Sequence, residues 1–369
     1  MKRFASIITL NILMVIGLMA CNGIDPVLDP ITYGENYIAV QLSTDKACYA
    51  PGESVVFSLN QIPAASAVMV RYRHMGETVE EHVLSSTQWT WRPPTQDYRG
   101  YLVDLYVGDS VYASVAVDVS STPEKFVRNG FLSAYGNLSQ KEIMTVVNSL
   151  NRFHINYVQF QDWHWKHHRP LAGTTTSPMD VWTDIISRNC YRSTVDAYIT
   201  AAHERNMKCL FYNLLYGALN DAHEDGVSRD WYVFSDRQHN TPVFHPLSSP
   251  FKSAIYVVNP NNKAWQTYLG ERNNDVYQVF DFDGWQIDQL GPQGKVYDYN
   301  GNSISLIDGF APMIEYSKEL QPQKRLVMRA VGQYGQEKIS KTPVDFLYTE
   351  VWDKPTNRGY TVLSDVITK

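Results

Sequence analysis

Phe282-Asp283-Gly284-Trp285-Gln286-Ile287-Asp288-Gln289-Leu290-Gly291 reads as a short apolar strand that delivers one carboxylate, Asp288, into a turn. Downstream, Val344-Asp345-Phe346-Leu347-Tyr348-Thr349-Glu350-Val351-Trp352-Asp353 repeats the pattern and ends in Glu350 among aromatic residues. In a parallel α/β barrel the carboxyl ends of the strands carry the reactive groups. Two strand-end acids beside Trp and Tyr point to carbohydrate cleavage.

Outward from these two stretches, strands and helices alternate. Apolar runs predict strands near 127–132, 155–161, 207–213, 284–288, 326–330 and 345–350. Between them, Ser139-Gln140-Lys141-Glu142 is a capping box opening a helix with Ile143, Val146, Val147 and Leu150 on one face. Ser193 opens a second helix through Val195, Ile199 and Ala202, and 261–280 supplies a third through Trp265, Leu269 and Val276. The fold expected is a (β/α)8 TIM-type barrel of which about six strands are present. Residues 360–369 read as the start of a helix with no further strand. An open barrel exposes apolar strand edges, so the expectation is a chain truncated at its C-terminus.

Upstream the rhythm changes to alternating runs, Ser54-Val55-Val56-Phe57-Ser58, Val68-Met69-Val70-Arg71-Tyr72, 101–107 and 111–117, separated by turn signals such as Pro51-Gly52 and Pro93-Pro94. That is the pattern of a small antiparallel sandwich, here of immunoglobulin-like type. The N-terminus, Lys2-Arg3 followed by an apolar run to Met19 and then Ala20-Cys21, reads as a lipoprotein signal, with an ordinary secretory signal as the alternative. The expected organisation is a signal peptide at 1–21 with Cys21 lipidated, a tether at 22–36, an immunoglobulin-like β-sandwich at 37–120, a linker at 121–125 and the catalytic barrel at 126–369. The expected location is the cell envelope, on the outer membrane or surface of a Gram-negative bacterium, or secreted.

A length of 369 residues makes two domains the prior expectation. Thirty-two Lys plus Arg against 38 Asp plus Glu leave a net charge of −6, without the basic stripe that nucleic-acid binding needs. Partners are therefore expected to be a polysaccharide and, through the anchor only, a membrane, with the protein itself a monomer. Cys48, Cys190 and Cys209 are too few and too scattered for a disulfide framework or a metal site. Nothing resembles a phosphate-cradling loop, a nucleophile elbow or a dinucleotide fingerprint, so no cofactor is expected.

A retaining glycosidase needs one ionised carboxylate as nucleophile and one protonated acid, about 5 Å apart. Strands four and six of a barrel can face Asp288 and Glu350 across the cavity. A turn or capping role is the alternative for Asp288. Glu350 sits among apolar residues in sequence, a surround that favours the proton donor. Gln159-Phe160-Gln161-Asp162-Trp163-His164-Trp165-Lys166-His167-His168-Arg169-Pro170 has the density of a sugar-binding loop. A metal site through His164 and His167 or His168 is the competing reading, opposed by Pro170 and the lack of a completing ligand. Tyr135, Asn213 and Tyr216 follow strands one and three on the same face, each alternatively a rim or core residue. Residues 220–258 form either an excursion over the cleft or a surface insertion.

These segments, together with Gly130-Phe131-Leu132-Ser133-Ala134-Tyr135-Gly136, resemble glycoside hydrolase family 66, the endo-dextranases and cyclising isomaltooligosaccharide glucanotransferases. The resemblance runs from about Tyr37 to the end of the chain. It implies a retaining endo-attack on α-1,6-linked glucan, with Asp288 as nucleophile and Glu350 as acid/base. It also places Tyr135, Asp162 and Trp163 beside the cleaved bond. His164, Asn213, Tyr216, Trp285 and Trp352 complete the candidate substrate-binding set. A cyclising transferase and a non-catalytic surface glycan-binding lipoprotein are the alternatives, and no metal is expected.

Overall fold

The computed structural model describes residues 40–65 and 67–350. The expected signal segment with Cys21, the tether, Trp352 and the start of the last helix lie outside these residues. Six strands, β1 (Asn129–Leu132), β2 (Tyr157–Phe160), β3 (Lys208–Leu214), β4 (Gly284–Asp288), β5 (Arg325–Val331) and β6 (Phe346–Glu350), form one sheet in chain order, every pair parallel. Each coincides with a run that the apolar pattern predicts.

The sheet is curled into part of a barrel, as contacts across its concave side demonstrate. In a flat sheet β2 and β6 would stand about 19 Å apart, four strand spacings of about 4.8 Å. Instead the rings of Tyr157 on β2 and Phe346 on β6 meet edge to face at 5.0 Å. The Tyr348 hydroxyl on β6 lies 3.4 Å from Oε1 of Gln159 on β2.

Side chains alternate across each strand. Tyr157, Leu210 and Val327 pack together on the concave side with Phe346 and Tyr348, while Phe160, Phe211, Trp285, Ile287 and Met328 belong to a larger core on the convex side. The helices cover that convex side. They are α1 (Gln140–Arg152), α2 (Arg192–His203), α3 (Lys263–Val279) and α4 (Phe310–Leu320).

The predicted capping box of α1 is formed in both directions between Ser139 and Glu142. Helix α2 begins one residue before Ser193 and has Tyr191 at its N-cap with no side-chain bond. Helix α4 escapes the sequence reading because Gly309 caps it without a side chain and Pro312 lies in its first turn. Proline is tolerated there because first-turn amides have no intrahelical partner.

At the amino ends of the strands, three side chains cap neighbouring strands. Asn156 before β2 accepts the Arg128 amide, Asp283 before β4 accepts that of Cys209, and Asp345 before β6 accepts that of Leu326, each at 2.8 Å. The strands are thus pinned in pairs at the end away from Asp288 and Glu350. Buried amides at a sheet end need such partners.

The preceding residues form two antiparallel sheets. One has three strands in the order Leu42–Thr44, Val55–Leu59, Gln88–Trp91; the other has four in the order Glu77–Val83, Met69–His74, Arg99–Val107, Ser110–Val119. A single core joins them, with Phe57 stacked on Trp89 and Tyr72 on Trp91. The sequence pattern misses Glu77–Val83, which is almost wholly exposed and carries three glutamates. Two hydrogen bonds tie the two-sheet unit to the helical layer: the Ala47 amide donates to Arg205 O, just after α2, at 3.0 Å, and the Asn151 side-chain amide of α1 donates to Thr44 O at 2.7 Å. No helix among the described residues is long and apolar enough to cross a membrane.

Candidate active site

Asp288 ends β4 on the concave side and is 3% exposed. Its Oδ1 accepts the Arg329 Nε proton at 2.6 Å and the Gln289 amide at 2.7 Å; Oδ2 accepts from Arg329 Nη2 and the Tyr212 hydroxyl, both at 2.7 Å. Burial pushes this carboxyl up, and Arg329, Tyr212 and the Gln289 amide pull against it. Arg329 is itself held above its ordinary range, with Asp288 the largest of the groups that raise it. The bidentate contact, at 2.6 and 2.7 Å, is that of a carboxylate on a guanidinium, the form a nucleophile requires.

Glu350, at the end of β6, lies with its Oε2 at 3.2 Å from Arg329 Nη1. The two acids chosen from the sequence thus meet on one guanidinium, which β5 inserts between them. The apolar surround expected of Glu350 is absent: its side chain is 33% exposed and has Arg329 as a neighbour. The reason is the alternation of β6, which turns Glu350 to the concave side with Tyr348 and away from Leu347 and Thr349.

Asp162 follows β2 in a left-handed conformation, φ 52°, which aspartate tolerates better than most residues. Burial pushes its carboxyl up; Gln161 and Arg188 oppose this, and the charges of Asp184 and Asp288 add to it. It is half-buried on the same face as the acids.

The other described candidates turn away from the concave side, a correction that strand alternation and loop packing explain. Trp285, between inward Gly284 and Gln286, stacks on Phe211 and donates its indole N–H to Asn213 O at 3.2 Å. Asn213 donates its amide to His167 O and to Asn273 of α3. Trp163 is enclosed by Trp182, Phe211, Phe280 and Phe282. Tyr135 stacks on Phe160 and donates to Leu132 O at 2.6 Å. Tyr216 stacks on Phe310 and accepts the Leu290 amide at 3.1 Å, propping the turn after Asp288. These residues build the walls that hold the acids.

His164 is fully buried with its Nε2 at 2.9 Å from His167 Nδ1. Burial pushes both rings down, His167 to about 3, so the pair is neutral. His168 turns elsewhere, to Asp225 at 3.0 Å, so the three imidazoles do not converge on a metal. Among the described residues one trio, His203, Cys209 and Asp283, is close enough to hold a cation. It lies at the opposite end of the strands, and Asp283 is already engaged by His203, Lys208 and the Cys209 amide.

The loop after β2 is fastened through Asp225. Lys166, His168 and Arg169 all reach this carboxylate, at 2.6, 3.0 and 2.7 Å. Burial pushes Asp225 up, but the three donors outweigh it and hold the carboxyl well below the usual range. A lowered folded-state value stabilises above the unfolded value and the contribution is lost on acidification. Asp225→Asn is expected to cost roughly 2 kcal/mol at neutral pH. Urea denaturation should find the gap between variant and wild type closing as pH falls below about 4, the unfolded aspartate value.

Arg329 and Tyr212 were not singled out from the sequence, although signals existed. Arginine inside Leu326-Val327-Met328-Arg329-Ala330 is a charge in a buried strand, and such a charge needs a partner. Tyr212 shares the inward parity of Leu210 on β3.

The glycosyl hydrolase family 66 model matches residues 44–369. A cycloisomaltooligosaccharide glucanotransferase of Niallia circulans is 30% identical over 335 residues, covering 84% of this chain and 34% of its own length. A dextranase of Streptococcus salivarius is 22% identical over 285 residues, covering 70% and 34% respectively. The solved cycloisomaltooligosaccharide glucanotransferase of Paenibacillus sp., in complex with cycloisomaltoheptaose, superposes with a TM-score of 0.76 at 27% identity, over 85% of this chain and 49% of that one. The chain spans about a third of the length of the curated relatives it matches. With two strand-end acids sharing one arginine in a parallel barrel sheet, and a family match over nearly all the described residues, the chain belongs to glycosyl hydrolase family 66.

Proposed function

We propose that this protein is an endo-acting, retaining glycoside hydrolase that cleaves α-1,6-glucosidic bonds of dextran to isomaltooligosaccharides by double displacement. The observation that carries this reading is the convergence of Asp288 and Glu350 on Arg329 at the carboxyl ends of β4 and β6. Asp288 attacks the anomeric carbon as Glu350 protonates the leaving oxygen; Glu350 then takes a proton from water, which releases the sugar with retained configuration.

A second reading is favoured by the relatives of higher identity, which are cyclising enzymes. Cyclisation uses the same first step, and the chain's own free end replaces water in the second. Incubation with dextran followed by mass spectrometry separates the two, since a cyclic product is one water lighter than its linear counterpart. Linear products are the expected result. Gel retardation on dextran without any turnover would instead identify a surface glycan-binding protein.

The two-sheet N-terminal unit is read as an immunoglobulin-like module, on the support of its antiparallel sheets of three and four strands. Leu18-Met19-Ala20-Cys21 supports anchoring at the cell envelope through Cys21, and the protein is read as a monomer. Incorporation of labelled fatty acid, abolished by Cys21→Ala, is the expected outcome.

A further inference from the structure

Arg329 presents two edges to two acids. Nε and Nη2 form a bidentate pair with Asp288, at 2.6 and 2.7 Å, whereas Nη1 touches Glu350 once, at 3.2 Å. The shorter, paired contact is the stronger of the two. The division therefore depends on Asp288 carrying its charge, and the retaining reaction removes that charge halfway through.

We propose that Arg329 is the positioning residue that couples the two acids: it holds Asp288 while that carboxylate is free and turns to Glu350 when Asp288 is esterified. The inference rests on the retaining reading given above. In the first half, an Asp288 oxygen forms a bond to the anomeric carbon while the glucosidic C–O bond breaks. The departing oxygen takes the Glu350 proton, leaving Glu350 as a carboxylate. At that moment Asp288 is a neutral ester, and the guanidinium has one anion left to satisfy. In the second half, water gives its oxygen to the anomeric carbon and a proton to Glu350, and the ester bond breaks to return Asp288 as a carboxylate. Arg329 then reverts to its bidentate partner. The guanidinium thus stabilises ionised Glu350 weakly while it is paired with Asp288, when a donor is needed, and more strongly once Asp288 is esterified, when a base is needed.

Other groups face this guanidinium without performing the exchange. Tyr212 from β3 donates to Asp288, and Tyr348 lies one alternation before Glu350 on β6. Both are neutral hydroxyls, so neither answers the lost charge. Asp162, after β2, adds negative potential at Asp288 and reaches Gln161, but it has no ion pair with Arg329. Arg329 is the single cation that touches both acids among the described residues.

The test requires no turnover. Asp288→Asn mimics the uncharged ester, and a crystal structure of that variant, with 15N-labelled arginine assigned by comparison with Arg329→Lys, reports which acid the guanidinium faces. In Asp288→Asn, Arg329 is expected to make two contacts with Glu350 in place of one, with its guanidinium resonances displaced from wild type. In Asp288→Asn/Glu350→Gln neither change is expected. A guanidinium that stays on position 288 in Asp288→Asn would overturn the proposal. Near-UV circular dichroism verifies folding of each variant. Wild-type protein that leaves dextran intact would refute the hydrolase reading without altering the structural result.

Discussion

Asp288→Asn is expected to reduce release of oligosaccharides from dextran by on the order of 10^4-fold or more, the scale seen when a covalent nucleophile is removed. The amide can still accept from Tyr212 and Arg329, so the fold should survive. Asp288→Ala is a poorer test, because it removes the buried acceptor that the Arg329 guanidinium and the Tyr212 hydroxyl share. Reducing-sugar release alongside thermal denaturation distinguishes the two outcomes. Activity within tenfold of wild type in a folded Asp288→Asn protein would exclude this residue as nucleophile.

Glu350→Gln is expected to cost roughly 10^2- to 10^4-fold, the contribution of a positioned general acid and base. The loss should depend on the leaving group, being smallest for an activated aryl glucoside that departs without a proton. Azide needs no base to attack the glycosyl-enzyme, so it should restore turnover in this variant and not in Asp288→Asn. The product should be an α-glucosyl azide, since two displacements retain configuration. Failure of azide to rescue, with the fold intact, would assign the proton transfers to another group, with Asp162, which feels the charge of Asp288, the candidate to test next. Glu350 is one-third exposed, and its substitution carries little penalty in packing.

Much of this architecture was legible along the chain because parallel strands buried on both faces are continuous apolar runs. Gly284–Asp288 and Phe346–Glu350 stand within a residue of where the pattern puts them. The helix Phe310–Leu320 was not legible, since its cap is a glycine and its stability comes from burying Phe310, Met313 and Ile314 in the tertiary core. Among the site residues, Asp288, Glu350 and Asp162 reach one face, whereas Trp163, Trp285 and Tyr135 fill the helix-facing core. Richness in aromatic residues cannot distinguish a sugar platform from a core, because the same ring area serves both.

By itself the sequence determined the order of the elements, the presence of six parallel strands and the placing of an acid at the ends of β4 and β6. Those follow from local rules: apolar runs, capping residues and a carboxylate at a strand end. What only the tertiary structure decided is the company the acids keep. Arg329 lies 41 residues beyond Asp288, and no local pattern links them. Their pairing exists because β4 and β5 lie side by side in parallel, in a register that faces Ile287 with Met328. Curling of the sheet then brings β6 around until Glu350 meets the same guanidinium. Electrostatics at a site depends on distance through space, and that distance is set by register and curvature, which the chain specifies only once it is folded.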